Sequence, residues 1–232
     1  MRRSRGGRVA LALAVPVLVV LALSQALLPG LAASRVRSRV AAYGQVHSVQ
    51  VSAFPALELL WGRADRINVA AGRLAASPAQ IASLLWQARG VGELHVDAEA
   101  AALDLPLLAR ALEVARVQMR KHGAALSATA TLTQAQLAAA LPSGVSFEPT
   151  ASGDGEVQAR ASGALFGLQA TLPVLVRASQ GSLIAEPQGV PFGSIAAVTL
   201  FSDPHLKVAG VGVRALGSSP PSYEVTVSAL LS

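Results

Sequence analysis

Period-two alternation constrains this chain more than any other feature. Leu94, Val96, Ala98 and Ala100 alternate with Glu93, His95, Asp97 and Glu99. The same rhythm places Val49, Val51 and Ala53 against Ser48, Gln50 and Ser52, and Val157, Ala159 and Ala161 against Gln158, Arg160 and Ser162. It returns in Leu168, Ala170, Leu172, Val174 and Val176, and near the C-terminus in Tyr223, Val225, Val227 and Ala229. Side chains two apart share one face of a strand, so each segment has a dry side and a wet side, as half-buried antiparallel strands do. Ile67 with Val69, and the segment Leu206 to Val213, read as further strands.

Two helices announce themselves by their caps. Ser77-Pro78-Ala79-Gln80 supplies an N-cap, a proline at the first helical position and a glutamine three residues on; this predicts a helix that Gly90 ends. Thr133-Gln134-Ala135-Gln136 repeats the device before Leu137 to Leu141, with Pro142 as the stop. Leu105, Leu108, Leu112 and Val117 recur at helical spacing and predict a third helix between Leu105 and Met119. Loops are expected at Pro142–Gly144, Gly153–Gly155, Gly189–Gly193 and Gly217–Pro221. Strands in succession with few helices, and no linker that divides them, make one α+β domain with an antiparallel sheet. Many inward positions are alanine or valine, and aromatics are 4% of the chain. Such a face either packs tightly on a helix or leaves room for an apolar guest.

The N-terminus sets the compartment. Arg2, Arg3, Arg5 and Arg8 precede a run from Val9 to Leu28 that carries no charge. About 20 such residues span a hydrocarbon core roughly 30 Å thick, and the arginines keep the amino end inside. The features equally describe a secretory signal cut before Ala33, with Gly30 and Ala32 as its small residues. Residues 1–32 are therefore expected to be a transmembrane anchor or a signal peptide, with 33–232 on the outer side. Residues 1–39 hold seven arginines and no acid, whereas residues 40–232 hold twelve basic and thirteen acidic residues. The domain is near neutral, which argues against nucleic acid as a partner. Arg35, Arg37 and Arg39 suit either anionic headgroups or the wet face of a helix. There is no cysteine, so disulfides, thiolate metal sites and thiol nucleophiles are excluded. The excess of arginine over lysine and the abundant alanine are those of a GC-rich bacterial genome.

Motifs for catalysis are missing: no G-x-S-x-G elbow, H-E-x-x-H pair or Walker loop occurs. Gly210-x-Gly212-x-x-Ala215 imitates a dinucleotide fingerprint, but Gly217-Ser218-Ser219-Pro220-Pro221 follows where a helix is needed. The histidines at 47, 95, 122 and 205 are dispersed. His95 shares a strand face with Glu93, Asp97 and Glu99, where a wet polar face is the simpler reading than a metal site. No catalytic residue, metal or cofactor is expected.

The segment Phe54-Pro55-Ala56-Leu57-Glu58-Leu59-Leu60-Trp61-Gly62 has the most individual character. Pro55 suits a first helical turn, and Phe54, Leu57, Leu60 and Trp61 at helical spacing would share one apolar face. That face either closes the core, forms a hydrophobic entrance, or dips into lipid. Phe54-Pro55, Leu57, Leu60-Trp61-Gly62-Arg63 and Asp65-Arg66-Ile67-Asn68-Val69 resemble the LmeA-like phospholipid-binding proteins of bacterial envelopes. Ala128-Thr129-Ala130-Thr131-Leu132-Thr133, followed by Leu137 and Leu141, is similar to that family's strand into a capped helix. The resemblance covers roughly residues 33–232. It implies a curved antiparallel sheet wrapped on a few helices, tubular lipid-binding-like, preceded by the N-terminal hydrophobic helix. It also implies an apolar cavity that binds phospholipid without catalysis, and it names no protein partner. Phe54, Leu57, Leu60 and Trp61 are then the expected lipid-binding residues, one wall or the mouth of the cavity. The alternative is a non-catalytic envelope interaction domain whose core is full. Because His95 reads as a wet-face residue, His95→Ala is expected to leave function intact. Loss of function with an unchanged circular dichroism spectrum would restore the case for an enzyme.

Overall fold

The computed structural model describes residue 25 and residues 28–232, apart from 106–107, 166–167 and 190–196. The expected membrane-crossing or signal segment therefore lies almost wholly outside the described residues. Among those described, no helix is long and apolar enough to cross a membrane.

The architecture is the expected α+β type, with its strands in two open sheets. The chain enters through α1 (residues 28–41), turns at 42–43 and becomes β1 (Gly44–Ser52). A 3-10 turn (Ala56–Trp61) leads to β2 (Ala64–Ala76), α2 (Pro78–Gln87) and β3 (Val91–Leu103). Then come β4 (Leu112–His122), β5 (Ala125–Thr133), α3 (Gln134–Ala140) and β6 (Val145–Gly153). The chain finishes with β7 (Glu156–Leu165), β8 (Leu168–Ser179), β9 (Ser182–Pro187), β10 (Val198–Phe201), β11 (Leu206–Ala215) and β12 (Ser222–Leu231). A seven-stranded sheet runs β1-β2-β3-β4-β5-β12-β11, and a five-stranded sheet runs β10-β9-β8-β7-β6.

Both capping boxes form. Ser77 Oγ accepts from the Gln80 amide at 3.3 Å while Gln80 Oε1 accepts from the Ser77 amide at 2.8 Å. Thr133 and Gln136 make the equivalent pair at 3.2 and 2.8 Å. The two helices then go different ways. α2 carries the chain back so that β3 pairs parallel to β2, the one parallel pair among the described strands. α3 instead hands the chain from β5 in the first sheet to β6 in the second.

The expected helix between Leu105 and Met119 is a strand. Leu112 to His122 is β4, paired antiparallel with β3 and β5. The misleading spacing has two sources: Leu105 and Leu108 lie in the connection ahead of β4, and within β4 a bulge intervenes, where Arg116 has φ 51° and the register against β5 slips between Ala115 and Gln118. An extra residue in one strand moves the following side chains to the other parity. Val114 before the bulge and Val117 after it thus join one apolar cluster at a spacing of three. β6, β9 and β10 are strands that alternation alone did not mark.

Register explains the core. Val51, Ile67, Leu94, Lys121, Leu126 and Ala229 align across six strands as one row. The helices cover this face: Ala82 is fully buried, Leu85 is 2% exposed, and Val36 and Val40 of α1 pack on the same cluster. The alanines at 64, 71, 82, 98 and 101 are buried contact residues, so here small side chains bring elements close together. The opposite row, Gln50, Asn68, His95, Arg120 and Ser127, is polar throughout. α1 lies back along β1, since only two residues separate them and Arg37 donates to the His47 carbonyl at 2.7 Å. The first residues of α1 therefore point toward the Ser52 end of β1.

The second sheet closes the open edge of the first. Its hairpin turns, Asp154-Gly155 (φ 54° and 78°) and Gln180-Gly181 (φ 50° and 81°), sit against β11. Val211 donates to the Gly155 carbonyl at 2.9 Å and Val208 to that of Gly181 at 2.8 Å. An edge strand that would otherwise offer unpaired amides is satisfied within the chain. Val157, Val176 and Val211 form the cluster between the sheets. The close approach needs Gly210, where a Cβ would lie 3.2 Å from both the Gly155 Cα and the Ser228 Oγ. At Gly212 the nearest atom would be Ser152 Oγ at 3.6 Å, an ordinary contact. This glycine pair thus serves sheet packing. Gly210→Val is expected to cost about 1–3 kcal/mol in denaturant unfolding, in line with overpacked sites, and Gly212→Ala much less.

Candidate functional site

One end of the seven-stranded sheet collects the chain's most individual residues. Here β1 ends, the 3-10 turn follows, β2 and β3 begin and β4 ends. Six residues between Pro55 and Gly62 are too few for a stable α-helix, and the tighter 3-10 form results. Its repeat of three stacks Ala56 over Leu59. Ala56 is fully buried and Leu59 packs on the main core cluster. The turn is tied at both sides: the Phe54 amide donates to Asp65 Oδ2 at 2.7 Å, and Gly62 (φ 70°) closes it by donating to the Leu59 carbonyl at 3.2 Å.

Three of the four expected lipid-binding residues point outward. Phe54 is 81% exposed, Trp61 73% and Leu60 64%. The backbone of Leu57 belongs to the same turn, and its side chain lies outside the described atoms. The structure thus brings Phe54, Leu60 and Trp61 together as an exposed apolar tip, on a 3-10 turn instead of the expected α-helical face.

Beside the tip is an open cleft of about 600 Å³, lined by Ser52, Glu58, Arg63, Arg66, Glu93 and His122 among others. Register puts Arg66, Glu93 and His122 side by side on β2, β3 and β4. Arg66 Nε donates to Glu93 Oε2 at 2.7 Å, and His122 Nδ1 lies 3.6 Å from Glu93 Oε1. The hydrogen bond and charge of Arg66, and secondarily His122 and His95, hold the Glu93 carboxyl below the usual carboxylate range. A second cleft of about 250 Å³ adjoins at Gly123, with Trp86, Arg89 and Leu231 in its wall. Trp86 stacks on His205 with centroids 4.3 Å apart, and the Arg89 guanidinium carbon lies over the Trp86 ring, 4.6 Å from its centroid. An arginine-bearing cleft thus lies next to an exposed apolar tip.

Lys121 is the feature that sequence reasoning missed. It occupies an apolar row, is 1% exposed, and donates through Nζ to the Val91 carbonyl. Its odd position in Val117-Gln118-Met119-Arg120-Lys121 was the available signal, hidden by the helix expected there. His95 sits between Asn68 and Arg120 on the polar row, and among the described residues no group of three or more histidines and acids could hold a metal ion.

Burial pushes the Lys121 ammonium below its ordinary value of 10.5. In the window below 10.5 and above the lowered value, the unfolded chain holds the proton that the folded chain has released. Stability from this group therefore rises with pH across that window and is at its lowest when the lysine is charged. Urea melts of the parent and Lys121→Met at a series of alkaline pH values should show the parent gaining on the variant toward pH 10.5. A pH-independent difference would mean that the ammonium is not desolvated.

A family model described as LmeA-like phospholipid-binding matches residues 23–230. The match takes in both the Phe54–Val69 and the Ala128–Thr133 segments. No curated protein and no solved structure matches the chain.

Proposed function

The chain belongs to the LmeA-like phospholipid-binding family, and from that premise we propose that it binds phospholipid at the end formed by the 3-10 turn and the adjoining cleft. The carrying observation is the juxtaposition of apolar Phe54, Leu60 and Trp61 with a cleft that holds Arg63, Arg66 and His122. Acyl chains are met by the tip, with Leu57 as part of the same segment, and the headgroup phosphate by the arginines, whose planar forks suit phosphate oxygens. Each methylene removed from water contributes about 0.8 kcal/mol, so affinity asks for no reactive group. Binding or carriage, and not catalysis, is the role we assign. The place of action is the outer side of a bacterial cytoplasmic membrane, with residues 1–32 as anchor or cleaved signal. The four arginines ahead of the uncharged run Val9–Leu28 support that orientation.

A fluorescent short-chain phospholipid titrated into the purified chain should bind saturably, and lipid extraction with mass spectrometry should recover a phospholipid. Leu60→Asp is expected to weaken binding several-fold. Because Leu60 is 64% exposed, its melting temperature should stay near the parent's, as surface changes usually shift stability by less than about 0.5 kcal/mol. No saturable binding and no recovered lipid would leave a structural envelope domain with a filled core.

A further inference from the structure

Phe54, Leu60 and Trp61 are presented on a stiff support. Ala56 and Leu59 anchor the turn in the core, and Asp65 and Gly62 tie its two ends. Exposed large apolar groups grouped on one rigid turn mark a contact surface. The direction of α1 says what it meets. α1 lies back along β1, so its first residues point toward the end that carries the tip. At 1.5 Å per residue its fourteen positions cover about 21 Å, against about 30 Å for the nine residues of β1. Leu28, the first residue of α1 and the last of the uncharged run, therefore lies on the tip's side. Charge at this end is largely cancelled: Arg63, Arg66 and Arg89 are set against Glu58, Asp65 and Glu93, with Arg66 and Glu93 paired. Attraction rests on apolar surface, and tryptophan favours the boundary between headgroups and acyl chains.

We infer that this tip docks in the outer surface of a phospholipid bilayer, with Phe54, Leu60 and Trp61 at the headgroup–acyl boundary. The cleft of Arg63, Arg66 and His122 then opens at the depth where a lipid headgroup lies. This rests on the phospholipid-binding reading and specifies where the lipid is met. A second copy of the chain is a poor occupant, because three side chains on one turn fall far short of the roughly 800 Å² per partner that stable interfaces bury.

The test uses the full chain, one copy per phospholipid nanodisc. The chain has two tryptophans, so the difference between the parent and Trp61→Phe isolates the emission of Trp61. Lipids brominated near the headgroup end of the acyl chain should quench that difference signal at least twofold, in zwitterionic and in anionic discs alike, while aqueous iodide loses access to it. Quenching by iodide and not by bromine would put the tip in water and overturn docking. Protection from both would show protein covering the tip and overturn it as well. Titration of the purified chain with the fluorescent short-chain phospholipid, before it meets the discs, separates the two readings. Saturable binding without bromine quenching overturns docking alone, and bromine quenching without saturable binding overturns the phospholipid-binding reading alone.

Discussion

The parallel pairing of β2 with β3 is the constraint on which the rest depends. An antiparallel neighbour can follow through a tight turn, but a parallel one obliges the chain to cross the sheet and begin again at the same end. α2 makes that crossing, and its burial of Ala82 and Leu85 covers the row from Val51 to Ala229. The return sets Ala64 beside Val91 and Arg66 beside Glu93. Without it there would be no cleft under the 3-10 turn, and the Val91 carbonyl that receives Lys121 would sit elsewhere.

A buried lysine in the middle of that row is costly, since an ammonium withdrawn from water loses hydration that one carbonyl does not replace. The row tolerates it because the side chain is long enough to run past Leu94 and Leu126 to the end of the sheet. Lys121 thus couples the core to the end where the candidate site lies. The edge at β11 is managed by contact: two hairpin turns with left-handed residues supply carbonyls to β11 amides, and Gly210 leaves the room.

Much of the fold was legible because its signals are local. Alternation reports which side of a strand is wet, and Ser77 with Gln80 or Thr133 with Gln136 satisfies amides within four residues of sequence. The expected helix over Leu105–Met119 failed for an equally physical reason. Leu105 and Leu108 belong to the connection ahead of β4, and the bulge at Arg116 shifts the parity of Val117, so a connection and a bulged strand together mimic a helical repeat. The family likewise was legible from short motifs, whereas the site was so only in part. Phe54, Leu60 and Trp61 stood out as apolar residues near a proline and a glycine, yet their outward direction follows from the choice of a 3-10 turn, which the spacing did not reveal.

By itself the sequence determined the α+β class, the faces of the main strands, the two capped helices and the neutrality of the domain behind its basic N-terminus. These depend on neighbours a few residues apart, or on composition. Only the tertiary structure decided that α2 crosses between parallel strands while α3 changes sheets, since identical caps start both. It alone placed Arg66, Glu93 and His122 in one line, because they are drawn together by register across three strands. It alone buried Lys121 and left Trp61 in the open: whether a side chain is covered depends on what packs over it, and that is supplied by distant segments of the chain.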